Sequence, residues 1–137
     1  MREIKFRCWY DNQMHKVQDI SFRHKNINLF GADIINFEDG ILMQYTGLKD
    51  KNGVEIYEGD IIRSYANYGY GKRQKKVEII SEVRFYLSKD KTMGGDSTNE
   101  IPRFTTRQLN KQEYTNVDWS MFYQCEVIGN IYEGRSE

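Results

Sequence analysis

Apolar and polar residues alternate from the start of the chain, with Ile4, Phe6 and Cys8 set against Lys5 and Arg7. A period of two places each set on one face of a pleated strand, and it predicts a half-buried strand over residues 3–9. Asp11-Asn12-Gln13 predicts a turn, with Met14 to Val17 as the return strand of a hairpin. Ile20, Phe22 and His24 continue the alternation. Ile27 and Leu29 resume it one register later, which predicts a turn or bulge at Lys25-Asn26. Asp39-Gly40 then leads into a strand, Ile41-Leu42-Met43-Gln44-Tyr45-Thr46.

Two turns punctuate the next stretch. Asn52-Gly53 is a two-residue hairpin signal, since both residues tolerate the positive φ of a type I′ turn. Glu58-Gly59-Asp60 opens directly into Ile61-Ile62. There Gly59 permits a backbone angle closed to other residues, and Asp60 can accept backbone N–H bonds in the bend. Residues 66–76 read as a loop. Val77 to Leu87 is a long strand, with Val77, Ile79, Ser81, Val83, Phe85 and Leu87 on one face. Residues 88–102 read as a loop holding Gly94-Gly95 and the single proline, Pro102. Residues 106–116 have room for a short helix. Phe122 to Tyr132 closes the chain as a strand, with Cys125, Val127, Gly129 and Ile131 on one side.

Seven or eight short strands separated by turns predict a mostly-β fold. The expected architecture is a partly open β-barrel with an SH3-like corner at the Gly59-Asp60 turn. A smaller N-terminal β-sheet packs against it. The division is 1–40 for the N-terminal region and 41–137 for the barrel-like part, with a single domain over 1–137 as the alternative.

A hydrophobic fraction of 39% with 29% charged residues raises the question of disorder. Aromatics at 14% answer it, because disordered chains are poor in them. Twenty Lys and Arg balance twenty Asp and Glu, so binding of nucleic acid by bulk charge is not expected. No stretch approaches the roughly 18 consecutive apolar residues of a membrane span, and the charged N-terminus lacks the apolar core of a signal peptide. Cys8 and Cys125 both lie among apolar neighbours, and the expectation is two buried free thiols in a cytoplasmic protein.

Candidate chemistry is sparse. His15 and His24 stand nine residues apart without a ligand spacing, so no metal is expected. Cys125 sits in an apolar strand without a glycine elbow, which speaks against a nucleophile paired with either histidine. Glu58 and Asp60, with Asp50 upstream, could share a site as paired carboxylates. The plainer reading makes Asn52, Gly53, Gly59 and Asp60 turn chemistry. Gly69-Tyr70-Gly71-Lys72 is not a phosphate loop, since no apolar strand feeds it and no Ser or Thr follows the Lys.

The segment from Tyr65 to Lys76 carries one local hypothesis. Lys72, Arg73, Lys75 and Lys76 place four cations in five positions beside Tyr65, Tyr68 and Tyr70. Cations neutralise phosphates and aromatic faces stack on unpaired bases, so this loop is a candidate nucleic-acid site. The alternative is a solvated hairpin whose charge protects a sheet edge. Trp119, Phe122, Tyr123 and Tyr132 serve either the core or a subunit interface.

Four segments together resemble the YopX family of phage and prophage proteins. They are Glu3-Ile4-Lys5-Phe6-Arg7 with Trp9; Met43 through Gly53; Ile56-Tyr57-Glu58-Gly59-Asp60-Ile61; and Val127-Ile128-Gly129-Asn130-Ile131-Tyr132-Glu133. The resemblance runs end to end and is weakest over residues 66–120. It departs at Cys8, where a small residue such as Ala is expected. It implies a mostly-β, two-part fold and a phage or prophage origin, with no catalytic residues to carry over. The expected role is a non-enzymatic accessory protein without cofactor. Its partners would be further copies of itself or a host or phage protein, with nucleic acid as the alternative and no membrane.

Overall fold

The computed structural model describes residues 3–89, 100–110 and 124–135. Eleven strands form two antiparallel sheets among these residues. The first sheet contains β1 (Phe6–Tyr10), β2 (Gln13–Ser21), β3 (Asn26–Leu29), β4 (Ile34–Asn36), β5 (Ile41–Lys49) and β6 (Glu55–Tyr57). Its strand order is β4-β3-β2-β1-β5-β6. The second contains β7 (Asp60–Tyr68), β8 (Lys75–Lys89), β9 (Glu100–Gln108), β10 (Glu126–Asn130) and β11 (Gly134–Arg135), in the order β11-β10-β7-β8-β9. The chain is thus mostly β, as its alternation predicts, and neither sheet closes on itself. The N-terminal sheet holds six strands to the other's five, because β5 pairs with β1 from Phe6↔Gln44 to Trp9↔Ile41 and brings β6 with it.

Several boundaries differ from the sequence reading for local reasons. The strand expected through Phe22 and His24 stops at Ser21, because residues 22–25 turn back with Lys25 at φ 53°. Asp11 and Asn12, both at positive φ, make the β1–β2 hairpin turn. At Asn52-Gly53 only Gly53 is left-handed, at φ 81°, so the turn is not type I′. A bond from the Gly53 N–H to the Asp50 carbonyl closes it instead. The expected loop 66–76 shrinks to residues 69–74, since β7 and β8 pair out to Tyr68↔Lys75. The expected loop 88–102 is narrower too, with strand pairing reaching Lys89↔Glu100 and residues 90–99 outside the described set. Thr106 to Gln108 belong to β9 rather than to a helix, and 111–116 lie outside the described residues. Of the expected strand 122–132, residues 122–123 lie outside the described set, and among 124–132 the strand is Glu126–Asn130. It shifts register between Val127 and Gly129, and Asn130 Oδ1 accepts the N–H groups of Tyr132 and Glu133 to make the following turn.

The first sheet buries opposite faces for different ends. Cys8, Ile27, Leu29 and Ile35 form one apolar cluster with Tyr10, Val17, Phe37 and Leu42 around it. On the other face Arg7, Trp9 and Met43 meet the second sheet. Trp9 stacks on Tyr132 with ring centroids 5.8 Å apart. A second cluster, Ile56, Ile62, Val83 and Cys125 with Leu48 and Val127, draws residues from both sheets. Each fully buried aliphatic side chain there contributes roughly 1.5–3 kcal/mol.

Candidate functional site

The seam between the sheets is built from the two turns. The chain leaves the first sheet at Tyr57 and enters the second at Asp60, so Glu58-Gly59 is the corner. Gly59 takes φ 86°, and its N–H donates to the Val83 carbonyl at 2.8 Å while its own carbonyl accepts from Ile131. A Cβ there would lie 3.0 Å from Met43 Sδ. Asp60, 1% exposed, accepts the Tyr57 N–H on Oδ2 and Arg7 Nη2 on Oδ1, at 2.8 and 2.7 Å. Burial pushes its carboxyl above the usual aspartate range, while the Arg7 charge and the Tyr57 amide pull back. Arg7 also lies over the Tyr57 ring, 4.7 Å from its centroid, and Nη2 reaches the Glu58 carbonyl.

Asp50 does the same work at the other turn. Its Oδ1 accepts the N–H groups of Asn52 and Val54, and its Oδ2 accepts that of Val127 from β10. Lys51 donates its N–H to the Cys125 carbonyl alongside. The acids that the sequence brings close in the chain are therefore separated in function. Asp50 and Asp60 each tie a turn to a distant strand. Glu58 instead lines a groove of about 240 Å³ with Ile41, Glu82, Arg84, Phe85 and Tyr132, and Asp60 does not. One Glu58 oxygen accepts the Gln44 N–H, and burial raises its pKa.

Cys8 stands opposite His15 in the β1–β2 register. Cys8 and Cys125 are buried in different clusters and are not joined by a disulfide. Burial, with the Asp50 charge adding to it, pushes the Cys125 thiol up to about 11. His15 Nε2 lies 3.2 Å from the Tyr10 carbonyl, and His24 is exposed in the turn after β2. Among the described residues no three metal-ligating side chains gather, and no helix is long and apolar enough to cross a membrane.

The cationic segment is the tip of the β7–β8 hairpin. Tyr70 is 96% exposed, and Lys72, Arg73, Lys75 and Lys76 are all exposed. Residues 71–73 form a single 3-10 turn. Lys76 Nζ lies 4.5 Å over the Tyr65 ring. The Tyr68 side chain lies outside the described set. Toward the body of the sheet the charge becomes mixed, because Arg63 pairs with Glu126 at 3.3 Å and stands 4.0 Å from Glu78. The cations are thus a local cluster at one end. Trp119, Phe122 and Tyr123 lie outside the described residues.

Sequence reasoning missed Arg7, the partner of Asp60 and 53 positions away. An arginine facing inward on an alternating strand was the signal available. The geometry describes a two-sheet β protein whose central acids hold its sheets together. The chain matches the model of the YopX protein family over residues 4–135, and it belongs to that family. It is also similar to a solved structure, protein EF1440 from Enterococcus faecalis, at 25% identity and a TM-score of 0.51, covering 97% of this chain and 96% of that one. No curated protein matches it.

Proposed function

We propose that this chain is a non-enzymatic interaction module of a phage or prophage, working in the cytoplasm of the host cell by associating with further copies of itself or with a host or phage protein. One observation carries the reading. At the free edge of the first sheet Phe30 is 68% exposed and Ile34 64% exposed. Ile34 belongs to edge strand β4 and pairs with Asn28, while Phe30, in the β3–β4 turn, donates its N–H to the Lys16 carbonyl of β2. Large apolar side chains beside an unpaired strand edge favour pairing with another chain. The fold's use of Asp50 and Asp60 as turn ties supports the non-enzymatic part. Size-exclusion chromatography with light scattering tests the reading. A mass above that of one chain, lost in Phe30→Ser/Ile34→Thr, is expected. A monomer at every concentration that captures no host or phage protein would contradict it.

The hairpin tip favours a second reading, binding of single-stranded or structured nucleic acid. Its support is the nearly fully exposed Tyr70 beside four exposed cations that form no ion pair with a described acid. Fluorescence anisotropy at low and high salt tests it. Alanine at Lys72, Arg73, Lys75 and Lys76 should weaken binding and flatten the salt slope. An unchanged slope removes the tip from the account.

A further inference from the structure

We propose that a concavity on the face of the first sheet that carries Arg7, walled by Arg7, Met14, Lys16, Val54 and Tyr57, binds a small organic anion: a carboxylate or phosphate group borne on an apolar body. The cavity measures about 480 Å³, within the range of small-molecule sites of roughly 300–1,000 Å³.

Its charge arrangement is the first argument. Arg7 and Lys16 stand directly opposite each other on β1 and β2. Like charges so placed repel, and an opposite charge beside them relieves the repulsion. Asp60 compensates Arg7 from the seam side alone, and Lys16 forms no ion pair with a described acid. Glu55 also lines the cavity, and it shares the single charge of Lys5 with Glu3. An anion lodged beside Arg7 gives Lys16, the wall cation without a described acid, its partner.

The state of the Arg7 guanidinium is the second argument. Nη2 serves Asp60 and the Glu58 carbonyl, and Nε is enclosed without a hydrogen-bond partner. No described residue accepts from Nη1, and that nitrogen is not among the enclosed atoms. The group is already fixed by Asp60 on one side and by the Tyr57 ring beneath it. A donor held in place before the ligand arrives loses little freedom on binding. Met14, Tyr57 and the half-exposed Val54 supply the apolar wall that a bare inorganic ion would not use.

An NMR titration tests the site with four probes: phenyl phosphate, benzoate, inorganic phosphate and benzylamine. Saturable shifts are expected at the amides of Lys16, Val54 and Tyr57 and at the Arg7 Nε–H with phenyl phosphate and benzoate. The tighter of the two identifies the anionic group. Inorganic phosphate should bind more weakly, and benzylamine not at all. Lys16→Glu, at an exposed position, should weaken binding about tenfold through loss of a charge-assisted contact. Val54→Glu, on the opposite wall, should do the same and guards against a folding effect at one position. Equal shifts with benzylamine, no saturation by any anion, or unchanged affinity in both variants would overturn the proposal.

Discussion

Replacing Asp60 with alanine is the sharpest perturbation of the seam. The substitution leaves Arg7 without its carboxylate in a place where only 15% of the arginine side chain is exposed. It also leaves the Tyr57 N–H without an acceptor. An unmatched buried donor costs about 1–3 kcal/mol, and breaking a buried ion pair from one side about 3–5 kcal/mol. These losses overlap, so the expected destabilisation is about 3–5 kcal/mol. That is a large share of the roughly 5–15 kcal/mol by which a domain is stable. Urea unfolding followed by tryptophan fluorescence measures it, since Trp9 stacks on Tyr132 across the same seam. The double variant Arg7→Met/Asp60→Leu should recover part of the loss, because it removes both charges together. A cost for Asp60→Ala below about 1 kcal/mol would mean the pair does not hold the sheets together. A double variant no better than Asp60→Ala would refute the reasoning about the stranded charge.

Three further outcomes follow from the same seam. Gly59→Ala forces a side chain into a left-handed backbone 3.0 Å from Met43 Sδ, and should cost about 1–2 kcal/mol, read as a Tm lower by roughly 5 °C. Asp50→Ala strips the acceptor from three backbone N–H groups and should cost about 2–4 kcal/mol in urea unfolding, with Asp50→Asn recovering part of it. Cys8, Cys125, Tyr45, Tyr57 and Tyr132 all have pKa values raised above their ordinary values, chiefly by burial. Each therefore holds its proton longer folded than unfolded. Stability should be full below about pH 9 and fall as pH rises from there through about 11, seen as a lower urea midpoint at pH 10 than at pH 8.

Much of the local structure was legible in the chain. The Asp11-Asn12 turn, the corner at Gly59-Asp60 and the long strand from Val77 all follow from residue type and alternation. The assembly of those pieces was less legible. Alternation says which residues share a face, and it does not say which strand lies alongside. Hence β5 and β6 joined the first sheet, although their sequence reads equally well as part of the second. The candidate site shows the same limit. Asp60 reads as a turn acid in the sequence, but its ion pair with Arg7 spans 53 positions, and the bond from Val127 to Asp50 spans 77. The charge of the hairpin tip was legible because charge is local, but the pairing that carries Lys75 and Lys76 into β8 was not. The cavity beside Arg7 and Lys16 was not, since it needs the β1–β2 register and the 53–57 segment brought together.

The most direct test of the interaction-module account is hydrogen–deuterium exchange at rising protein concentration. Amides over residues 28–36, around Phe30 and Ile34, should become more protected as copies accumulate, while the Asp60 corner stays unchanged. Exchange that is independent of concentration across 28–36, and of added host or phage protein, would contradict it.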